Sequence, residues 1–159
     1  MQHDMRIHYL NWLAPIKWDL ALSLNFRADI GREQAIAAAR VFWHKLDYEM
    51  FGAAQVKTHK KRVTRACFIE GEKNVRNWHY HIAVQMPHNS IEAIGGEHTF
   101  DRIRLFGEVM LERWSKLREA GEYSIVKPIY DAEGWLKYIC NDVNLLGCGL
   151  CTITSHLPV

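Results

Sequence analysis

Apolar residues alternate with polar or small ones in two stretches of the chain, and each stretch predicts a strand buried on one face. In residues 78–86, Trp78, Tyr80, Ile82, Val84 and Met86 alternate with His79, His81, Ala83 and Gln85. A period of two separates the faces of a β-strand, so the apolar set enters a core and both imidazoles leave an uncovered sheet face. Residues 18–27 repeat the pattern, with Trp18, Leu20, Leu22, Leu24 and Phe26 on one side and Asp19, Ala21, Ser23, Asn25 and Arg27 on the other. A third strand spans 62–70, where Val63, Cys67 and Ile69 share one face and Thr64, Ala66, Phe68 and Glu70 the opposite one. The polar segment Gly71 to Asn77 joins it to the histidine strand as an antiparallel hairpin.

Helical spacing replaces alternation in three places. Residues 32–51 carry Ile36, Ala39, Trp43, Leu46 and Met50 on one face, with Gly52 as the stop. Residues 99–119 carry Phe100, Ile103, Met110, Trp114 and Leu117, and Gly121 ends that helix. A short helix over 132–143 offers Trp135, Leu136, Ile139 and Val143 to the core. Residues 122–130 predict a strand that Pro128 confines to a sheet edge or a strand end. Residues 1–16 show no clear period and are expected to be a lead-in segment; 87–96 is a loop, and the tail from Leu145 takes no assignment. The order β-α-β-β-α-β-α predicts an α+β, ferredoxin- or RRM-like antiparallel sheet, with helices on one face and the active site on the open one.

Composition adds bounds rather than a function. At 159 residues the chain is expected to form one domain with a substantial core, and a formal net charge of +2 is mildly basic and says little by itself about partners. Local charge is more informative: Lys57, His59, Lys60, Lys61, Arg62 and Arg65 fall within nine residues, as either a solvated loop or a phosphate-contacting patch. Cys67 and Cys140 read as small buried residues, while Cys148 and Cys151 form a single Cys-x-x-Cys with only His156 nearby, too few ligands for structural zinc. No apolar run reaches membrane-spanning length and no signal-peptide pattern is present, so a reducing, cytoplasmic compartment is expected.

Chemistry concentrates in the hairpin. Alternate residues of a strand have Cα atoms roughly 6–7 Å apart, close enough for His79 and His81 to converge on one metal ion. Antiparallel pairing places Glu70 beside His79 as a third ligand, with Glu72 in reserve if the loop shifts the register. Two imidazoles and one carboxylate suit Mn²⁺ and tolerate Mg²⁺.

These parts, in this order, resemble the HUH endonucleases, metal-dependent tyrosine nucleases that cut single-stranded DNA. His79-Tyr80-His81 looks like the motif that names the family. Ala21-Leu22-Ser23-Leu24-Asn25-Phe26 looks like the first motif of its replication-initiator (Rep) branch, and Gly134-Trp135-Leu136-Lys137-Tyr138-Ile139-Cys140-Asn141 looks like its third, except that Asn141 stands where a lysine is usual. The resemblance runs from about Trp18 to Asp142. It implies that Tyr138 attacks the scissile phosphate at a replication origin, leaving a 5′-phosphotyrosine and a free 3′-hydroxyl that primes rolling-circle synthesis. It also implies that Ser23 and Asn25 contact DNA from the metal face, that Lys57, Lys60, Lys61 and Arg62 follow the phosphate backbone, and that Lys137 and Asn141, beside the nucleophile, contact DNA as well. The partners implied are single-stranded origin DNA, a host DNA polymerase and, since the chain has no phosphate-binding Gly-Lys-Ser/Thr loop, a host helicase.

Competing expectations are a single-tyrosine transposase of the same superfamily, a non-catalytic module binding single-stranded nucleic acid, and a zinc hydrolase. The binding module would want stacking aromatics on a face that here carries histidines and small polar residues; the hydrolase would want further ligand clusters downstream. The nuclease reading requires that both imidazoles stay unburied and that the phenol lie beside them.

Overall fold

The computed structural model describes residues 2–27, 30–71, 77–88, 99–141, 143 and 149–158. The alternating segments form β1 (Leu20–Asn25), β2 (Arg65–Glu70) and β3 (His79–Val84), while β4 (Ile125–Pro128) and β5 (Gly149–Leu150) complete one antiparallel sheet in the order β4-β1-β3-β2-β5. The fold is α+β and ferredoxin-like, and β4 occupies the edge that Pro128 requires.

One sheet face meets α2 (Arg32–Lys57) and α3 (Thr99–Ser115). Leu20, Leu22 and Leu24 of β1, Cys67 and Ile69 of β2, and Tyr80, Ile82 and Val84 of β3 bury there against Phe42, Trp43, Phe106, Met110 and Trp114. Gly52 interrupts α2 as expected, with non-helical φ and ψ of 77° and 160°. That φ, unfavourable for residues with a Cβ, bends the helix, and a last turn carries buried Val56 back onto the core.

The other face departs from the expected open sheet. Residues 1–16 are not a lead-in: α1 (Gln2–Leu13) is a helix whose apolar positions lack amphipathic spacing, because only part of one side meets the protein. Together with α4 (Ala132–Ile139) it covers one end of this face. Leu13, Leu136, Ile139, Cys140 and Val143 pack there on Ala66, Phe68 and Ala83. Trp18, expected beside Leu20, joins this second cluster instead; it precedes the strand, and its indole nitrogen donates to the Leu13 carbonyl at 3.0 Å. The seat exists because Ala21, Ala83 and Ala66 stand side by side across β1, β3 and β2. A row of methyl groups lets helix side chains approach the sheet closely.

Where β2 begins, Arg65 is buried and its guanidinium binds both Asp47 carboxylate oxygens at 2.9 and 3.1 Å, over the face of Trp43. Asp47 also accepts the Val63 amide at 2.8 Å. Removing the carboxylate would strand a buried cation, a loss of about 3–5 kcal/mol. Asp47→Ala should therefore lower the urea midpoint by that equivalent while leaving the unfolding slope unchanged, as measured by circular dichroism.

Candidate metal centre

Three rows of side chains cross the second sheet face, set by strand register. Beyond the alanines lies Ser23–His81–Phe68, and beyond that Asn25–His79–Glu70 at the strand ends. Glu70 stands directly opposite His79, and its Oε2 lies 3.5 Å from His79 Nε2 and 3.4 Å from His81 Nε2. The ligand atoms of the three residues all fall within 4.8 Å of one another, the only such group of histidine, cysteine or carboxylate side chains among the described residues. This cluster can hold a metal ion. Glu72 lies outside the described residues.

The imidazoles are oriented for ligation by their other nitrogens. His79 Nδ1 is 3.0 Å from the Asn77 carbonyl oxygen. A carbonyl only accepts, so Nδ1 carries the proton and, in the neutral ring, Nε2 presents its lone pair to the cluster. His81 Nδ1 is 3.0 Å from Ser23 Oγ, which can accept from it in the same way. Ser23 is thus committed to a histidine, and Asn25 to the loop before β4, donating from Nδ2 to the Tyr123 carbonyl at 2.8 Å. Both side chains have partners within the protein.

His79 remains half-exposed, but His81 is only 6% exposed, so the expectation that both imidazoles stay unburied on an uncovered face fails at His81. The rings that cover it belong to α4, Trp135 at 5.8 Å and Tyr138 at 4.9 Å between centroids. Burial by these rings leaves Nε2 on the cluster side, 3.4 Å from the Tyr138 hydroxyl. That distance is long for a hydrogen bond and marks adjacency rather than a strong contact. Tyr138 stacks on Trp135, whose indole nitrogen donates to the Ile82 carbonyl of β3, so the phenol is held to the sheet while staying 56% exposed. Trp135 packs partly buried against the second core cluster, as expected, and also stacks on Tyr138 at i, i+3. Burial pushes the thiols of Cys67 and Cys140 up to about 12 and raises Tyr80 as well, so these groups stay protonated and unreactive near neutral pH.

The remaining expected residues divide. Lys137 pairs with Glu133 one turn earlier in α4, and its carbonyl accepts from Arg6 of α1 at 3.3 Å. Asn141 is exposed just past the helix, its amide donating to the Tyr138 carbonyl at 3.1 Å. Lys57, Lys60 and Lys61 are exposed, but they precede β2, whose roughly 17 Å length separates its start at Arg65 from Glu70. Arg62 beside them serves the fold, bonding the Val56 carbonyl at 2.9 Å and facing Asp47 at 3.6 Å. Cys148 lies outside the described residues, and Cys151 is buried, accepting from the Tyr80 hydroxyl at 3.5 Å, which takes it away from any zinc site. No described helix is long and apolar enough to cross a membrane.

Compared with protein-family models, curated proteins and solved structures, the chain matches none.

A cluster that binds a divalent cation gains stability by mass action, about 2.7 kcal/mol at a hundred times the Kd. Mn²⁺ should therefore raise the melting temperature of the native chain and leave that of Glu70→Ala unmoved. Ser23→Ala keeps all three ligands but frees the His81 ring, and should weaken Mn²⁺ binding about 10–100-fold by calorimetry.

Proposed function

We propose that the chain is a metal-dependent, site-specific nicking and joining enzyme for single-stranded DNA, with Tyr138 as nucleophile, acting at a replication origin in the manner of a single-tyrosine HUH initiator. The observation that supports it is the placement of an exposed phenol 3.4 Å from the Nε2 of a histidine that shares Glu70 with a second histidine. A carboxylate and two neutral imidazoles form a hard, mixed donor set that suits Mn²⁺ and accepts Mg²⁺. When bound, such a cation supplies Lewis-acid polarisation of a phosphate oxygen.

The chain's own residues account for the rest. Tyr138 oxygen forms a bond to phosphorus as the bond from phosphorus to the 3′-oxygen breaks; the phenol proton passes to solvent, and the departing oxygen takes one up to become a hydroxyl. One phosphodiester is exchanged for another, so the step is reversible and the joining reaction runs back through the same tyrosine. Stacking on Trp135 holds the ring on α4, and its exposure leaves the oxygen accessible to a strand crossing the sheet face. The released 3′-hydroxyl primes a polymerase, and strand separation is left to a helicase supplied by the host. The exposed lysines 57, 60 and 61 would then meet flanking backbone rather than the scissile phosphate.

The test is a labelled origin-like oligonucleotide incubated with Mn²⁺ and resolved on a denaturing gel. The native protein should form a covalent adduct, Tyr138→Phe none, and His79→Ala about a hundredfold less. Adduct formation that survives Tyr138→Phe removes the assigned nucleophile, and its absence with native protein on a panel of single strands removes the enzyme.

A further inference from the structure

A groove of about 530 Å³ opens beside the metal centre, across the end of β1, between Asn77–Trp78 on one side and Gly121–Tyr123 on the other. We propose that this groove seats one unpaired nucleobase of a bound DNA strand, stacked on Tyr123. The proposal rests on the nuclease reading for its place in a reaction, and names the part of the substrate that the metal centre does not hold.

Tyr123 is 80% exposed and lines the groove, so its ring face is accessible to an occupant, and the backbone beneath it is tied to β1. The Gly121 amide donates to the Asn25 carbonyl at 2.8 Å, the Asn25 amide donates to Ser124 Oγ at 3.0 Å, and the Asn25 side chain donates to the Tyr123 carbonyl at 2.8 Å. Gly121 is pressed so close to β1 that a Cβ there would lie 2.7 Å from the Phe26 carbonyl oxygen. The ring thus projects from a turn whose main chain is already held, so a partner that stacks on it need not order the backbone.

The same contacts tie the groove to the metal ligands. Asn25 is the cross-strand partner of His79, and Asn77, on the groove's other wall, is the residue whose carbonyl orients the His79 ring. A strand with one phosphate at the metal centre would bring a neighbouring nucleotide here. Charge favours a base over a second phosphate, since Arg27 and Glu122 both line the groove and offset each other. A flat, uncharged, aromatic-stacking occupant is what remains, and a base presents that face whatever its identity.

The test reads binding alone, by fluorescence anisotropy in EDTA, with a short single strand and the same backbone made abasic. The native protein should bind the base-bearing strand about tenfold more tightly, Tyr123→Ala should lose that preference, and Tyr123→Phe should keep it. Equal affinity of the native protein for both strands, including no binding to either, overturns the proposal, as does a preference that survives Tyr123→Ala. A preference that depends on Tyr123 in a protein forming no Mn²⁺-dependent adduct keeps the base seat and removes the nuclease reading, so the two fail separately.

Discussion

The antiparallel register of β1, β3 and β2 decides which side chains meet at the metal centre, because neighbouring strands carry their side chains to the same face only in fixed pairs. A slip of one residue in β3 would turn His79 and His81 toward Trp43 and Trp114 and turn Tyr80 and Ile82 to the other side. Two imidazoles in that core would lie unpartnered, at a cost of several kcal/mol. The rows Leu22–Ile82–Cys67 and Leu24–Tyr80–Ile69 lock the pairing from the helix side. The apolar core thereby specifies a polar site on its reverse, and Glu70 meets His79 without any interaction of its own having to enforce it.

A second constraint sets the phenol. Tyr138 reaches His81 because α4 lies close to the sheet, and α4 lies close because the row beneath it is alanine. Leu136 and Ile139 bury into that seat, and the residues one helical step away, Trp135 and Tyr138, overhang the next row, where His81 stands. Small side chains in one row and a histidine in the next are two parts of one arrangement. The helix that brings Tyr138 to the histidine row is also the helix that removes His81 from water. A partly shielded ligand feels a lower local dielectric than an exposed one, which strengthens the interactions it makes with charged partners.

The hydrogen bonds around the centre point outward from it in a chain. Ser23 and Asn77 hold the far nitrogens of the two imidazoles, while Asn25, in the same strand as Ser23, holds the turn that carries Tyr123. One strand end therefore orients His81 of the candidate metal cluster and ties down the turn carrying Tyr123. The polar residues of β1 that suggested contacts with a nucleic acid have partners within the protein, while Tyr123 and Tyr138 are exposed beside them.

Alternation in residues 78–86 and 18–27 was enough to assign the strands, their faces and the pairing of Glu70 with His79, because a period of two is a local property that burial on one side writes directly into the chain. The edge position of β4 followed from Pro128 in the same local way. Helix α1 left no such mark, since only scattered positions of it touch the protein, and Trp18 lay one step outside the strand whose alternation it continues. Nor could spacing along the chain tell that Ser23 would face His81 instead of solvent, that the basic stretch would end at the far end of the hairpin, or that α4 would cover a ligand. Those are contacts between segments as much as 58 residues apart, as Ser23 and His81 are, and they come into being only when two layers pack on opposite faces of one sheet.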